Sequence, residues 1–67
     1  MSERTPNNLA ERYLRRHAVE ELTGLSRSTI YLLMSLGQFP RQVKLTAKAV
    51  AWKESEVAMW LAERPHA

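Results

Sequence analysis

Apolar residues recur along this chain with a period that changes along its length, and each change marks a different element. Between residues 9 and 22, Leu14, Ala18 and Leu22 recur at the spacing of a helical face. Tyr13-Leu14-Arg15 reads equally as a short strand ahead of a helix beginning near Arg16, and the pattern alone leaves both open. Thr23-Gly24-Leu25 interrupts the run, and Gly24 supplies the left-handed backbone with which helices end. Ser26 then stands as the N-cap of a second helix; Ile30, Leu33 and Met34 share one of its faces, and Gly37 followed by Pro40 stops it. Beyond Pro40 the period falls to two. Val43 and Leu45 alternate with Lys44, and Val50 and Trp52 alternate with Ala51 and Lys53, which predicts two half-buried strands joined by a turn over residues 46–49. That turn has no Gly, Asn or Asp to adopt positive φ, so its hairpin signal is weak. From Glu54 the helical period returns, with Val57, Trp60 and Leu61 on one stripe, Glu54 and Glu56 at the positive end of the helix dipole, and Pro65 closing the element.

Residues 18–31 thus have the layout of a helix-turn-helix: a helix, a turn bearing glycine, and a capped helix with an apolar Ile30 one turn past its cap. In this layout Leu22, Leu25 and Ile30 are expected to pin the two helices together. Ser26 fixes where the second helix begins, so that its first side chains can project into a major groove. These side chains are Arg27, Ser28, Thr29 and Tyr31, all able to hydrogen-bond to phosphates or base edges. A base in a first helical turn opposes the dipole, so Arg27 with no neighbouring acid makes most sense beside a phosphate. The hairpin that follows would be a wing. Lys44 and Lys48 on it, with Arg41 beside Pro40, are candidates for the phosphate backbone, although a strand lysine also serves as an ordinary solvent face or protects an edge. Trp52, Trp60 and Phe39 belong to apolar stripes and read as core rather than as stacking platforms for bases. Leu32 and Leu36 fall off the predicted core face. Either a small error of phase hides one of them inside, or they form an apolar patch for a second protomer or a protein partner.

Charge strengthens this picture through its distribution. Ten Lys and Arg stand against seven Glu with no Asp, for a net charge of +3. Every acid lies at or before Glu21 or at or after Glu54, whereas Arg27, Arg41, Lys44, Lys48 and Lys53 occupy the interval, which suits a polyanionic partner. With 67 residues the chain accommodates one domain. We place a loose polar arm over residues 1–11, the domain over 12–64 and a tail over 65–67. The absence of Cys excludes disulfides and zinc knuckles and fits a cytoplasmic location. Apolar runs such as residues 30–34 fall far short of the roughly 20 residues that span a bilayer, so no membrane role is expected. Catalytic chemistry is poorly supplied: there is no Asp, no Cys nucleophile and no phosphate-cradling loop, since Gly24 and Gly37 are the only glycines. His17 and His66 lie far apart, and Glu20 and Glu21 beside His17 read as solvated helix positions. Neither an enzyme, a cofactor nor a metal site is expected.

Three ordered blocks carry a resemblance to a known family. They are Gly24-Leu25-Ser26-Arg27-Ser28-Thr29-Ile30-Tyr31; then Gly37-Gln38-Phe39-Pro40-Arg41-Gln42-Val43-Lys44-Leu45; then Val50-Ala51-Trp52-Lys53-Glu54-Ser55-Glu56-Val57 with Trp60-Leu61-Ala62-Glu63-Arg64. Together they resemble the AlpA-type prophage regulatory proteins, relatives of the excisionase-like and MerR-like winged helix-turn-helix domains, from about Tyr13 to Arg64. The resemblance implies a short first strand over residues 13–15 and a wing after the second helix. It further implies a small regulator of mobile-element genes, or a factor directing excision by an integrase, whose second helix reads DNA. The expected fold is mainly α with a small β-sheet: three helices, a hairpin wing and a short N-terminal strand. Expected partners are double-stranded DNA, further copies of the chain on adjacent sites, and an integrase or the transcription machinery; the competing reading is an adaptor or antirepressor that binds protein through Leu32 and Leu36. The chain departs from the family pattern at these two leucines, which stand where such helices usually carry polar or basic residues, at Glu20, in a place of the first helix that is often small in helix-turn-helix proteins, and in a wing turn without glycine.

Overall fold

The computed structural model describes residues 11–65. The elements run β1 (Tyr13–Leu14), α1 (Arg16–Thr23), α2 (Arg27–Ser35), β2 (Val43–Thr46), β3 (Ala49–Lys53) and α3 (Glu54–Ala62). The three strands form one antiparallel sheet in the order β1-β3-β2. Three helices and a small sheet, with a strand before α1, match the architecture expected above.

The junction between α1 and α2 follows from local chemistry. Gly24 adopts φ 77° and its N–H donates to the Glu20 carbonyl at 2.7 Å, ending α1 in the left-handed conformation. Thr23 Oγ1 donates to the Val19 carbonyl at 2.8 Å and accepts from the Leu25 N–H at 3.2 Å, so one hydroxyl bridges both sides of the turn. Ser26 caps α2 by accepting from the Thr29 N–H at 3.2 Å. At the far end, Gln38 N–H reaches the Leu33 carbonyl at 2.8 Å and Gly37 N–H that of Met34 at 3.0 Å, the paired bonds of a Schellman motif, with Gly37 at φ 71°.

The core is made by Leu14, Val19, Ile30, Phe39, Trp52 and Val57, against which Ala18, Leu25, Leu33, Met34, Trp60 and Leu61 pack. Ala51 and Trp52, consecutive on the central strand β3 and pointing to opposite sides of the sheet, are both fully buried, and α1 and α3 both pack on this strand. Two indoles hold the connection between α2 and β2. Trp52 Nε1 donates to the Pro40 carbonyl at 3.1 Å, Trp60 Nε1 donates to the Gln38 carbonyl at 2.8 Å, and Phe39 meets the Trp60 ring edge-on at 4.8 Å. Both tryptophans and Phe39 are therefore packing residues, as their apolar stripes indicated.

α3 begins directly after β3 with no cap from its own sequence. Pairing of Tyr13 with Lys53 and of Leu14 with Trp52 brings residues 11 and 12 to this helix end. There Ser55 Oγ donates to Glu11 Oε1 at 2.8 Å, Ser55 N–H approaches Glu11 Oε2 at 3.4 Å, and Glu54 N–H donates to the Arg12 carbonyl at 2.8 Å. The rest of the arm expected over residues 1–11, and the last two residues of the expected tail, lie outside the described residues.

Side-chain placement differs from expectation at two positions and decides a third. Leu22 is 47% exposed and does not pin the helices; Val19, one turn earlier, fills that place. Leu45 is exposed because β2 carries a bulge: Lys44 pairs with Val50, but Thr46 pairs with Ala49, and the extra residue breaks the alternation that would have turned Leu45 inward. Leu32 and Leu36 are both 57% exposed, so neither packs inside and both lie off the core face of α2.

Candidate nucleic-acid interface

The residues singled out at the start of α2 take up three different situations. Arg27 and Ser28 are exposed. Thr29 is half-buried and its Oγ1 accepts from the Ser26 hydroxyl at 3.1 Å, so the Ser-x-x-Thr spacing commits this side chain to the helix start. Tyr31 rests its ring edge-on against the buried Trp52 at 6.4 Å between centroids, and the Arg27 guanidinium lies 5.8 Å from the Tyr31 ring centre. A continuous stack thus runs from the core through Tyr31 to Arg27. Tyr31 is itself 37% exposed, and no hydrogen bond engages its hydroxyl among the described residues.

The three remaining candidates are exposed and lie further along the chain. Arg41 shares a shallow groove with Met34, Ser35, Gly37, Phe39 and Gln42, beside the C-terminal end of α2. Gln42, exposed in the same groove, is a hydrogen-bonding side chain that the sequence reading passed over. Lys44 sits on β2 opposite Val50. Lys48 stands in the hairpin turn, where Thr46 Oγ1 accepts its backbone N–H at 3.2 Å and supplies the order that a glycine-free turn otherwise lacks. The structure therefore brings Arg27 to Tyr31, Arg41 to the end of α2, and Lys44 and Lys48 onto one hairpin.

The acid-free interval of the sequence is not acid-free everywhere in space, since Glu56 and Glu63 line the same groove as Arg41. The ion pairs of the described residues, Arg16 with Glu20 along α1 and Arg12 with Glu54 at 3.8 Å, both lie outside the acid-free interval. The first turn of α3 carries Glu54 and Glu56, whereas the first turn of α2 carries no acid. The positive end of the α2 dipole and Arg27 therefore add to each other, while Glu20 and Glu21 of α1 line the hollow on the Ser26 side of this helix end. Among the described residues no group of three His, Cys, Asp or Glu side chains is placed to hold a metal ion, and no helix is long and apolar enough to cross a membrane.

Helix, glycine turn, capped helix and hairpin form an architecture consistent with a winged helix-turn-helix, with its uncompensated bases on the second helix and the hairpin. Comparison with known proteins carries this from a class to a family: the family described as prophage CP4-57 regulatory protein (AlpA) matches residues 12–65, and this chain belongs to it. The family is one of regulators and not of enzymes. The uncharacterized protein ORF88 of Enterobacteria phage P4 is 54% identical over 59 residues, covering 88% of this chain and 67% of that protein. The DNA-binding transcriptional activator AlpA of Escherichia coli K12 is 38% identical over 64 residues, covering 87% of this chain and 91% of that protein.

Proposed function

We propose that this protein is a sequence-specific binder of double-stranded DNA that regulates mobile-element genes or directs excision. In this reading α2 lies in the major groove, with Arg27, Ser28, Thr29 and Tyr31 facing phosphates and base edges, and the hairpin is a wing whose Lys44 and Lys48, with Arg41, contact the phosphate backbone. The observation that carries the reading is the exposed, acid-free start of α2, held at a fixed angle by Gly24 and Ser26 and bearing Arg27 braced on Tyr31. Membership of the AlpA family, with a relative named as a DNA-binding transcriptional activator, supports it. Thr29 Oγ1 accepts from Ser26, so its own hydroxyl proton stays available to donate, whereas its backbone N–H is spent on the Ser26 cap.

A reader of this size touches only a few base pairs, so tight binding calls for further copies on adjacent sites, or for an integrase or transcription partner. The test is selection from a pool of random duplex DNA at moderate salt, followed by sequencing of the retained fraction. An enriched motif that Arg27→Ala abolishes is the expected result. A folded protein that enriches no motif would overturn the reading in favour of an adaptor that binds protein through its exposed leucines.

A further inference from the structure

The outward face of α2 becomes apolar one turn past its start. Core packing does not need a leucine at position 32, since Ile30, Leu33 and Met34 carry the inward face, yet Leu32 is 57% exposed beside Tyr31 and one turn beyond Ser28. Helix geometry puts Leu32 about 6 Å along the axis from Ser28 and about 40° around it, so a groove about 12 Å wide that receives Ser28 receives Leu32 as well. Leu36, a further turn on, lies at the C-terminal end of the helix, about 12 Å from Ser28, and reaches only the rim of such a groove.

Charge decides what covers Leu32. Two copies meeting in parallel through this face would set Arg27 against Arg27, and an antiparallel meeting about Leu32 would set Arg27 opposite Gly37; in neither does the interval from Leu22 to Lys53 offer an acid to pair with it. A polyanion suits the same surface. In the major groove of a DNA duplex the one apolar feature that separates the bases is the C5-methyl group of thymine. We infer that Leu32 is a specificity residue that reads a thymine through this methyl group. The inference rests on the DNA-binding reading above and deepens it: the polar start of α2 reads edges by hydrogen bonding, and the next turn reads them by apolar contact.

Burying one methyl group corresponds to about a fourfold change in affinity. The test takes the motif retained in the selection and replaces each thymine in turn by deoxyuridine, which removes the methyl group and keeps the base pairing. The parent protein should lose about fourfold in Kd at one position. Leu32→Ala should bind the thymine duplex about fourfold more weakly and be indifferent to the methyl group at that position, whereas Leu36→Ala should keep the difference. Since Leu32 is exposed, the circular dichroism of Leu32→Ala should overlay that of the parent. A parent that tolerates deoxyuridine at every position, or a Leu32→Ala protein that keeps the full methyl dependence, overturns the inference while leaving DNA binding intact. So does a Leu32→Ala protein whose mass by light scattering falls while methyl dependence persists, which assigns the leucine to contact between copies. Failure to retain any motif takes down the DNA-binding reading itself.

Discussion

Gly24 and Ser26 act on one junction by unlike means. At φ 77° a side chain at position 24 is strained, but an added Cβ would meet nothing within 4 Å, so the penalty of Gly24→Ala is conformational alone. We expect it to cost about 1–2 kcal/mol, and Gly24→Asn less, because Asn visits the left-handed region more readily. Ser26→Ala removes the acceptor for the Thr29 N–H and should cost about 1 kcal/mol. Urea denaturation checks both: the midpoint should fall while the slope stays constant. These residues were legible in the sequence because their effects are local, spanning a few positions along the chain. Val19 was not. The choice between Val19 and Leu22 as the residue facing α2 depends on how α1 rotates against β3 and the rest of the core, and a short helix does not specify that rotation by itself.

At the scale of elements, what the sequence revealed and what it hid divide by range. The ends of α2 and the start of α3 followed from caps, glycines and charge. The bulge in β2 did not, because a turn over residues 46–49 without Gly, Asn or Asp does not fix the register, and a shift of one residue re-aims Leu45. Nor did the capping of α3 by Glu11, which lies 44 residues from Ser55 and reaches it only because β1 pairs with β3. Glu11→Ala should lower stability by about 0.5–1 kcal/mol, and Ser55→Ala by a similar amount. A double-mutant cycle should show the pair to be less than additive, since both changes remove the same bonds. For the β2–β3 hairpin the expectation concerns salt. Lys44→Ala and Lys48→Ala should each weaken DNA binding on every sequence and reduce the salt slope by about one, in binding isotherms across a series of salt concentrations. A changed base preference with an unchanged slope would contradict a phosphate role.

The molecule as a whole rests on a core of six buried residues drawn from every helix, from β1 and β3, and from Phe39 between α2 and β2. Ile30→Ala should cost about 2–5 kcal/mol, comparable to the entire stability of so small a domain, and circular dichroism at physiological temperature should show a largely unfolded chain. The sheet order β1-β3-β2 also has a temporal consequence, because the strand that joins the other two is the last to be synthesised. Until β3 and α3 are made, Leu14 has no strand to pair with, Val19 and Ile30 lack Trp52 and Val57, and the helix-turn-helix has nothing to close against. A nascent chain therefore completes its core only as translation nears the end of the domain, because Trp52 and Val57 arrive last, and a chain cut short within the hairpin lacks both.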